Sequence, residues 1–420
     1  KTYRKHLEDP QLERIVDDPQ NVNTLVLKTL LDEVANYGVY EKLDEKIEEY
    51  LKPDSIGDFY QVVLQNYEAD FGEELVRHFL SLIAVSRNGI SEDEILDITD
   101  TKDKPLLWSQ FYCSFRQHLI VKNGLVSFAH AYIREAVEAR YVNVHEDWVK
   151  TCREEIVTAL ENQKTSDGRH HSESIYQLLQ LNDSERLYRT LLNPYYFLTL
   201  YKEEEALLIE SWKYLIKCGH SIHDYSHLEE EYNNLGKLYL SISRFCDKDL
   251  ALYEEALYFG NRCLDLMDDG DHDLLQKALL TIASIYQEQG KYEECIETLM
   301  RAKEVTSDIE MQIAISNNLG NAYMLNGKMD LALKFYTLSL EQDKKTNSDI
   351  SSGIATSYNN IGNLYRVCGE YDQAIHYLTQ SLEISRIVFG KDSLEYASSC
   401  NSLATTFLEI GEYAKAIDYF

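Results

Sequence analysis

Residues Asn317–Ala332 read NNLGNAYMLNGKMDLA, and forty-two residues later Asn359–Ala374 read NNIGNLYRVCGEYDQA. Another forty-two residues on, Asn401–Ala416 read NSLATTFLEIGEYAKA, and thirty-seven before the first copy, Thr281–Cys295 read TIASIYQEQGKYEEC. A fixed period restricts the fold more than any other feature, because one repeat cannot bury its own apolar face and must stack on neighbours. Each copy holds two helical stripes. In the copy around Asn317, Leu319 and Tyr323 precede Gly327, and Ala332, Tyr336, Ser339 and Leu340 follow it. Gly290, Gly327, Gly369 and Gly411 stand where a first helix ends in a left-handed cap. Ala332, Ala374 and Ala416, with Cys295 earlier, are small enough for the second helix to approach the first. A looser member with a long insert runs from Tyr232–Tyr239 to Glu255-Ala256. The expectation is an α-solenoid over residues 228–420, with about five helix pairs and the last one cut short.

The N-terminal half has a different pattern. Leu25, Leu27, Leu30, Leu31 and Val34 make an apolar helical stripe before Gly38, and Leu43, Ile47, Tyr50 and Leu51 make another before Pro53. Over residues 56–146, helices carry Leu75, Phe79, Leu82 and Ile83, then Ile95 and Leu96 behind the capping box Ser91–Glu94, then Leu107, Trp108, Phe111 and Phe115. The one clear β signal follows: Leu119-Ile120-Val121 and Leu125–Phe128 flank Lys122-Asn123-Gly124, a strong hairpin turn. A helix from His130 to Val142 comes next. Three helices and a hairpin in this order predict a winged-helix domain. Residues 147–227 read as a helical, aromatic connector, with a polar loop over Gln163–His171. The fold class is therefore all-α with a small β-hairpin wing. A helical tail (1–55), a winged helix, the connector and the repeat array follow one another.

Charge and composition exclude several functions. With 71 acidic against 41 basic residues, the net charge of −30 argues against nucleic acid and anionic membranes as partners. The would-be recognition helix offers only Arg116 and the wing only Lys122, too few cations for a DNA backbone. The eight cysteines form no C-x-x-C pair and several fall on apolar repeat positions, so they read as reduced and buried in a cytoplasmic protein. His220, His223 and His227 beside Cys218 have ligand-like spacing, but nothing nearby completes a set, so no metal is expected there. No clustered nucleophile and base suggests a catalytic site. A start at Lys1 without methionine, and a stop at Phe420 inside a second helix, predict a segment of a longer protein.

The repeats resemble the tetratricopeptide repeat, whose usual period is about 34 residues; the 42-residue version is similar to that of kinesin light chains and related adaptors. In such superhelices the first helix of each pair lines a concave groove. Asn233, Asn234, Asn317, Asn318, Asn321, Asn359, Asn360 and Asn363 would face it, with Lys237 and Arg366 at comparable places. Asparagine is a poor helix former, and its amide can both donate to and accept from an extended peptide backbone. The resemblance implies a protein or peptide ligand in that groove. The other reading is that the asparagines bond neighbouring helices within the solenoid.

The order of segments resembles the C-terminal part of STAND-class NTPases of the nephrocystin-like NACHT-repeat type, which are similar to bacterial antiviral STAND ATPases. Asn23–Leu27 with Leu30–Glu33, Ser86–Glu94, Phe128–Glu135, and Ser174–Leu179 through Tyr188 to Trp212 carry the likeness. In that family the winged-helix histidine reaches the nucleotide's β-phosphate and holds the ADP-bound, closed state. His130 is the matching position, at a helix N-terminus that favours an anion; an ordinary helix-capping histidine is the other reading. Thr24 replaces the family's proline, which weakens the implied adenine contact. No G-x-x-x-x-G-K-[ST] occurs, so the phosphate loop lies upstream of Lys1 or is absent; the resemblance implies ATP or ADP with Mg²⁺ in an upstream nucleotide-binding domain of a P-loop parent, and no cofactor is expected in this segment. The resemblance implies a protein-binding sensor and regulatory region of an ATP-dependent signalling switch that forms homo-oligomers on activation. The alternative is a non-enzymatic scaffold or adaptor of the ciliary or transport kind.

Overall fold

The computed structural model describes residues 7–18, 23–99, 105–163, 168–228, 234–267, 271–346 and 350–420. It divides into two units, one ending at His220 and the other beginning at Ser221. Among the described residues no helix is long and apolar enough to cross a membrane, and all eight cysteines are free thiols. Cys152, Cys246, Cys263 and Cys295 are buried, whereas Cys113, Cys218 and Cys368 are exposed.

In the first unit, one apolar core runs from Ile15 through Leu30, Ile47, Tyr60, Phe79, Phe111 and Val137 to Leu160. The helix Thr24–Asn36 contributes Val26, Leu30 and Val34 to it, together with Thr29 and Glu33. Leu31, expected on the buried stripe, is exposed. The face is turned because both polar residues find partners inside, which removes the cost of burying them.

The hairpin forms where the turn signal placed it. Asn123 and Gly124 both take positive φ, 54° and 79°, the geometry that matches the twist of the flanking strands. Strand β1 (Ile90–Ser91) was not visible in the sequence. It pairs antiparallel with β3 (Leu125–Phe128), which also pairs with β2 (Leu119–Lys122), giving the order β1-β3-β2. Gly89 makes this possible: its φ is +97°, and an added Cβ would lie 2.6 Å from the Val126 carbonyl oxygen. The Ser91–Glu94 capping box is present. Glu94 is also held by both ends of the Arg169 guanidinium, at 2.6 and 2.8 Å. Burial pushes the Glu94 carboxyl up, but Arg169 pulls harder and holds it below the usual carboxylate range. Arg169 lies on the helix Gly168–Gln180, so the end of the expected polar loop, with His170 and His171, is a buried helix.

The second unit is a series of helix pairs: Leu235–Lys248 with Tyr253–Asp265, His272–Glu288 with Tyr292–Val305, Ile309–Leu325 with Met329–Thr346, Ser352–Val367 with Tyr371–Val388, and Leu394–Ile410 with Tyr413–Tyr419. Gly290, Gly327, Gly369 and Gly411 end first helices with φ between +71° and +90°. Inside a pair the helices touch at very small residues. A Cβ on Gly320 would meet the Tyr336 ring at 2.4 Å, and one on Gly362 would meet Leu378 at 2.6 Å. These two contacts are forty-two residues apart, so the period seen in the sequence is a period of packing.

Candidate functional site

The polar residues of the repeats divide into those spent on the solenoid and those left at its surface. Asn317 is buried, donating to the Ser357 hydroxyl at 3.3 Å and accepting from it at 3.4 Å. Asn321 accepts from the Tyr336 hydroxyl at 2.6 Å. Asn363 donates to Ser402 Oγ at 3.4 Å, and Arg366 is held by Glu409 of the next first helix at 2.5 Å. These side chains tie neighbouring helices together. Asn318 and Lys237 are exposed, as is Asn234, which precedes the helix beginning at Leu235. Asn359 and Asn360 are half-buried, and Asn359 Oδ1 has no hydrogen-bond partner. Asn233 lies outside the described residues.

Serines form the ladder that the asparagine pattern hid. Ser339 donates to the Ile313 carbonyl at 3.1 Å and lies 3.3 Å from Ser357 Oγ. Forty-two residues on, Ser381 donates to the Ala355 carbonyl at 2.8 Å and lies 3.2 Å from Ser399 Oγ. The same period would have found them, since Ser339 aligns with Ser381 and Ser357 with Ser399.

Beside each rung a cavity opens. The first, about 380 Å³, is lined by Ile313, Ala314, Asn317, Asn318, Asp343 and Thr356 among others. The second, about 280 Å³, is lined by Ala355, Thr356, Asn359, Ser385, Leu394 and Ser398 among others. Ile313, Ala314, Asn317, Asp343 and Thr356 of the first become Ala355, Thr356, Asn359, Ser385 and Ser398 of the second after one repeat. Glu310 and Asp343 make the first acidic, and Glu395 lines the second.

The second candidate is His130, the N-cap of the helix Ala131–Val137. Its Nδ1 accepts from the Ile133 amide at 3.4 Å, which leaves the proton of the neutral ring on Nε2. Nε2 lies 3.4 Å from the Tyr60 hydroxyl, which is 3.2 Å from Thr29 Oγ1. Burial first, then His118 and Lys28, pushes the imidazole down to about 4, so the ring is neutral at pH 7. One turn along the same helix as Thr29, Glu33 gathers the Tyr67 hydroxyl at 2.9 Å, the Tyr50 hydroxyl at 3.4 Å, His118 Nε2 at 3.1 Å and the Gln117 amide. Thr24 is exposed at the first position of this helix. The link from His130 to the helix runs through Thr29, five residues after Thr24. The histidines near Cys218 pack on aromatic rings, His220 on Tyr188 at 4.3 Å and His223 on Tyr258 at 4.2 Å.

Comparison with known proteins finds separate matches in the two halves of the chain. Residues 4–141 match the family described as Nephrocystin 3, helical domain, and residues 276–308, 315–349 and 353–420 match tetratricopeptide repeats. Nephrocystin-3 of Xenopus laevis is 24% identical over 308 residues, covering 68% of this chain. A tetratricopeptide repeat-containing protein of Dictyostelium discoideum is 28% identical over 220 residues, covering 51% of it. The chain spans 24% and 13% of the lengths of these two relatives. Among solved structures, a Signal Transduction ATPase with Numerous Domains (STAND) protein with a tetratricopeptide repeat sensor, from Pyrococcus horikoshii, aligns with a TM-score of 0.39 and 15% identity over 97% of this chain and 61% of that one. The second unit is a tetratricopeptide-repeat solenoid, an architecture of protein interaction.

Proposed function

We propose that the repeat array receives a protein or peptide ligand, and that the chain is the sensor and regulatory region of a STAND-type ATP-dependent switch. The observation that carries the receiving role is the pair of polar cavities in register, one repeat apart. Neighbouring first helices lie on the order of 10 Å apart, which about three residues of extended chain can span. Glu310, Asp343 and Glu395 around the cavities favour a ligand with basic or hydroxyl-bearing side chains. Exposed Asn318 and half-buried Asn360 would serve its backbone without dictating its sequence. Selection of extended peptides on the chain tests this. Asn318→Ala with Asn360→Ala should weaken the selected peptides about tenfold, the sum of two ordinary hydrogen bonds. Unchanged affinity would place binding elsewhere.

The switch reading rests on His130 and on the motifs that surround it. A neutral imidazole with Nε2–H directed at Tyr60 is a donor that an anion can take over. Tyr60 and Thr29 would transmit that exchange to the helix Thr24–Asn36, which Glu33 fixes to His118. In the protein that joins this chain to its nucleotide-binding module, His130→Asn keeps a helix cap but loses the ring. It should speed ADP release and lower the threshold for oligomerisation. One observation favours the scaffold alternative: Arg87–Glu204 and Arg169–Glu94 fasten residues 56–146 to the helices after them, which suits a rigid support. Unchanged ADP release in His130→Asn, or a whole protein that binds no nucleotide, would leave the scaffold reading standing.

A further inference from the structure

The helices Glu73–Val85 and Glu146–Asn162 bring together three side chains that no spacing in the sequence connects. Cys152 and Glu155, three residues apart, share one face of the later helix, and His78 reaches them from the earlier one. One ligand atom from each lies within 4.8 Å of the others, and His78 Nε2 is 2.7 Å from Glu155 Oε2. We propose that His78, Cys152 and Glu155 form a divalent-cation site of the zinc class, independent of the repeat array and of His130.

The donor set fits that chemistry. Zinc takes nitrogen, thiolate sulfur and carboxylate oxygen at about 2.0–2.3 Å in tetrahedral geometry. Neutral imidazole, thiolate and carboxylate together balance a doubly charged ion, so filling the site leaves no net charge among its ligands. On binding, the S–H proton of Cys152 passes to solvent and a sulfur–metal bond replaces it. The ring of His78 is already positioned, edge-on to Trp148 at 5.1 Å, and Trp148 is pinned by its indole N–H to Ser81 Oγ at 3.0 Å. Glu155, the most exposed of the three ligands, also lines a cleft of about 600 Å³ with Asp97, Thr151 and Thr158, and an ion with water as its fourth ligand would be taken up through that carboxylate. Arg77 stacks on Trp148 with its guanidinium 4.7 Å from the ring centre, on the ring that meets His78.

The test uses the whole chain with the exposed Cys113, Cys218 and Cys368 and the half-buried Cys400 replaced by serine, so that accessible thiols elsewhere do not contribute. Cobalt(II) is the spectroscopic probe and zinc its competitor. The expected result is about one ion per chain with a thiolate-to-cobalt charge-transfer band, displaced by zinc. Cys152→Ala should abolish the band. His78→Gln and Glu155→Gln, which retain the thiol, should each weaken cobalt binding by at least about tenfold while the band survives at saturation. Circular dichroism of the metal-free variants confirms that each is folded. A chain that shows no charge-transfer band overturns the proposal, and so does a band of equal strength in Cys152→Ala.

Discussion

The two units are held together by different kinds of interaction. In the first, buried and half-buried polar groups join segments far apart in the sequence: Glu33 to His118, Glu94 to Arg169, Arg87 to Glu204 and Glu68 to Arg140. In the second, the polar bonds between repeats reach only the next repeat, as Asn317 to Ser357, Asn363 to Ser402 and Arg366 to Glu409 do. The first unit should therefore unfold as a whole when one contact fails, whereas the repeats should behave as a chain of nearest neighbours whose damage stays local. A relay needs the former and an extensible binding surface the latter.

The same substitution made in both units tests this most severely. Arg169→Leu leaves the Glu94 carboxylate, whose side chain is 6% exposed, buried without a counter-charge and held only by the Ser91 and Gln163 amides. It should cost about 3 kcal/mol or more. Arg366→Leu leaves Glu409 35% exposed to water and should cost less than about 1 kcal/mol. Urea unfolding followed by tryptophan fluorescence reads the first unit directly, because Trp108, Trp148 and Trp212 all lie there. Equal costs for the two changes would break the comparison. The next largest effect belongs to the helix contact inside a repeat. Gly320→Ala forces a methyl group into the Tyr336 ring and should cost roughly 1–3 kcal/mol. Hydrogen exchange should show lost protection over Ile309–Thr346 and the adjoining pairs, with the helix Leu235–Lys248 unaffected. Loss of protection throughout the repeats would mean that they fold as a single cooperative block.

How far each unit could be read from the sequence follows the same division. Repeat packing is local and periodic, so the glycines that end first helices and the alanines between helices stood out by position alone. The hairpin at Asn123-Gly124 and the capping box at Ser91–Glu94 were equally legible, because a turn and a cap are decided within four residues. What was hidden depends on partners far away. Thr29 and Glu33 look like the solvent side of their helix and are core residues only because Tyr60, Tyr67 and His118 bond them. Strand β1 is two residues long and exists through its pairing with β3. His78 and Cys152 are seventy-four residues apart, and no ligand spacing marks them. For the candidate groove the asparagines drew attention by being poor helix formers, yet that oddity is shared by those bonded inside the solenoid and those left outside. Exposure separates Asn317 from Asn318; residue type does not.

The smallest expected effect concerns a residue that departs from the nearest-neighbour pattern of its own unit. Asp247, in the first helix of the first pair, is 4% exposed, and its Oδ1 has no hydrogen-bond partner. Burial, followed by the charge of Glu288, raises its carboxyl from the ordinary 3.8 to about 6. The folded chain then holds a proton that the unfolded chain releases between these two values. The stabilisation from that proton is full below about pH 4 and is lost as the pH rises through about 6. Asp247→Asn removes the burden of the charge, so the variant should equal the wild type near pH 4 and exceed it by on the order of 1 kcal/mol at pH 8. The comparison is made on the difference between the two melting curves, which cancels every other titration. If the repeats act as nearest neighbours, hydrogen exchange should confine the gain to Leu235–Glu288. A gain that spreads to Leu394–Ile410 would instead tie the far end of the solenoid to this one carboxyl.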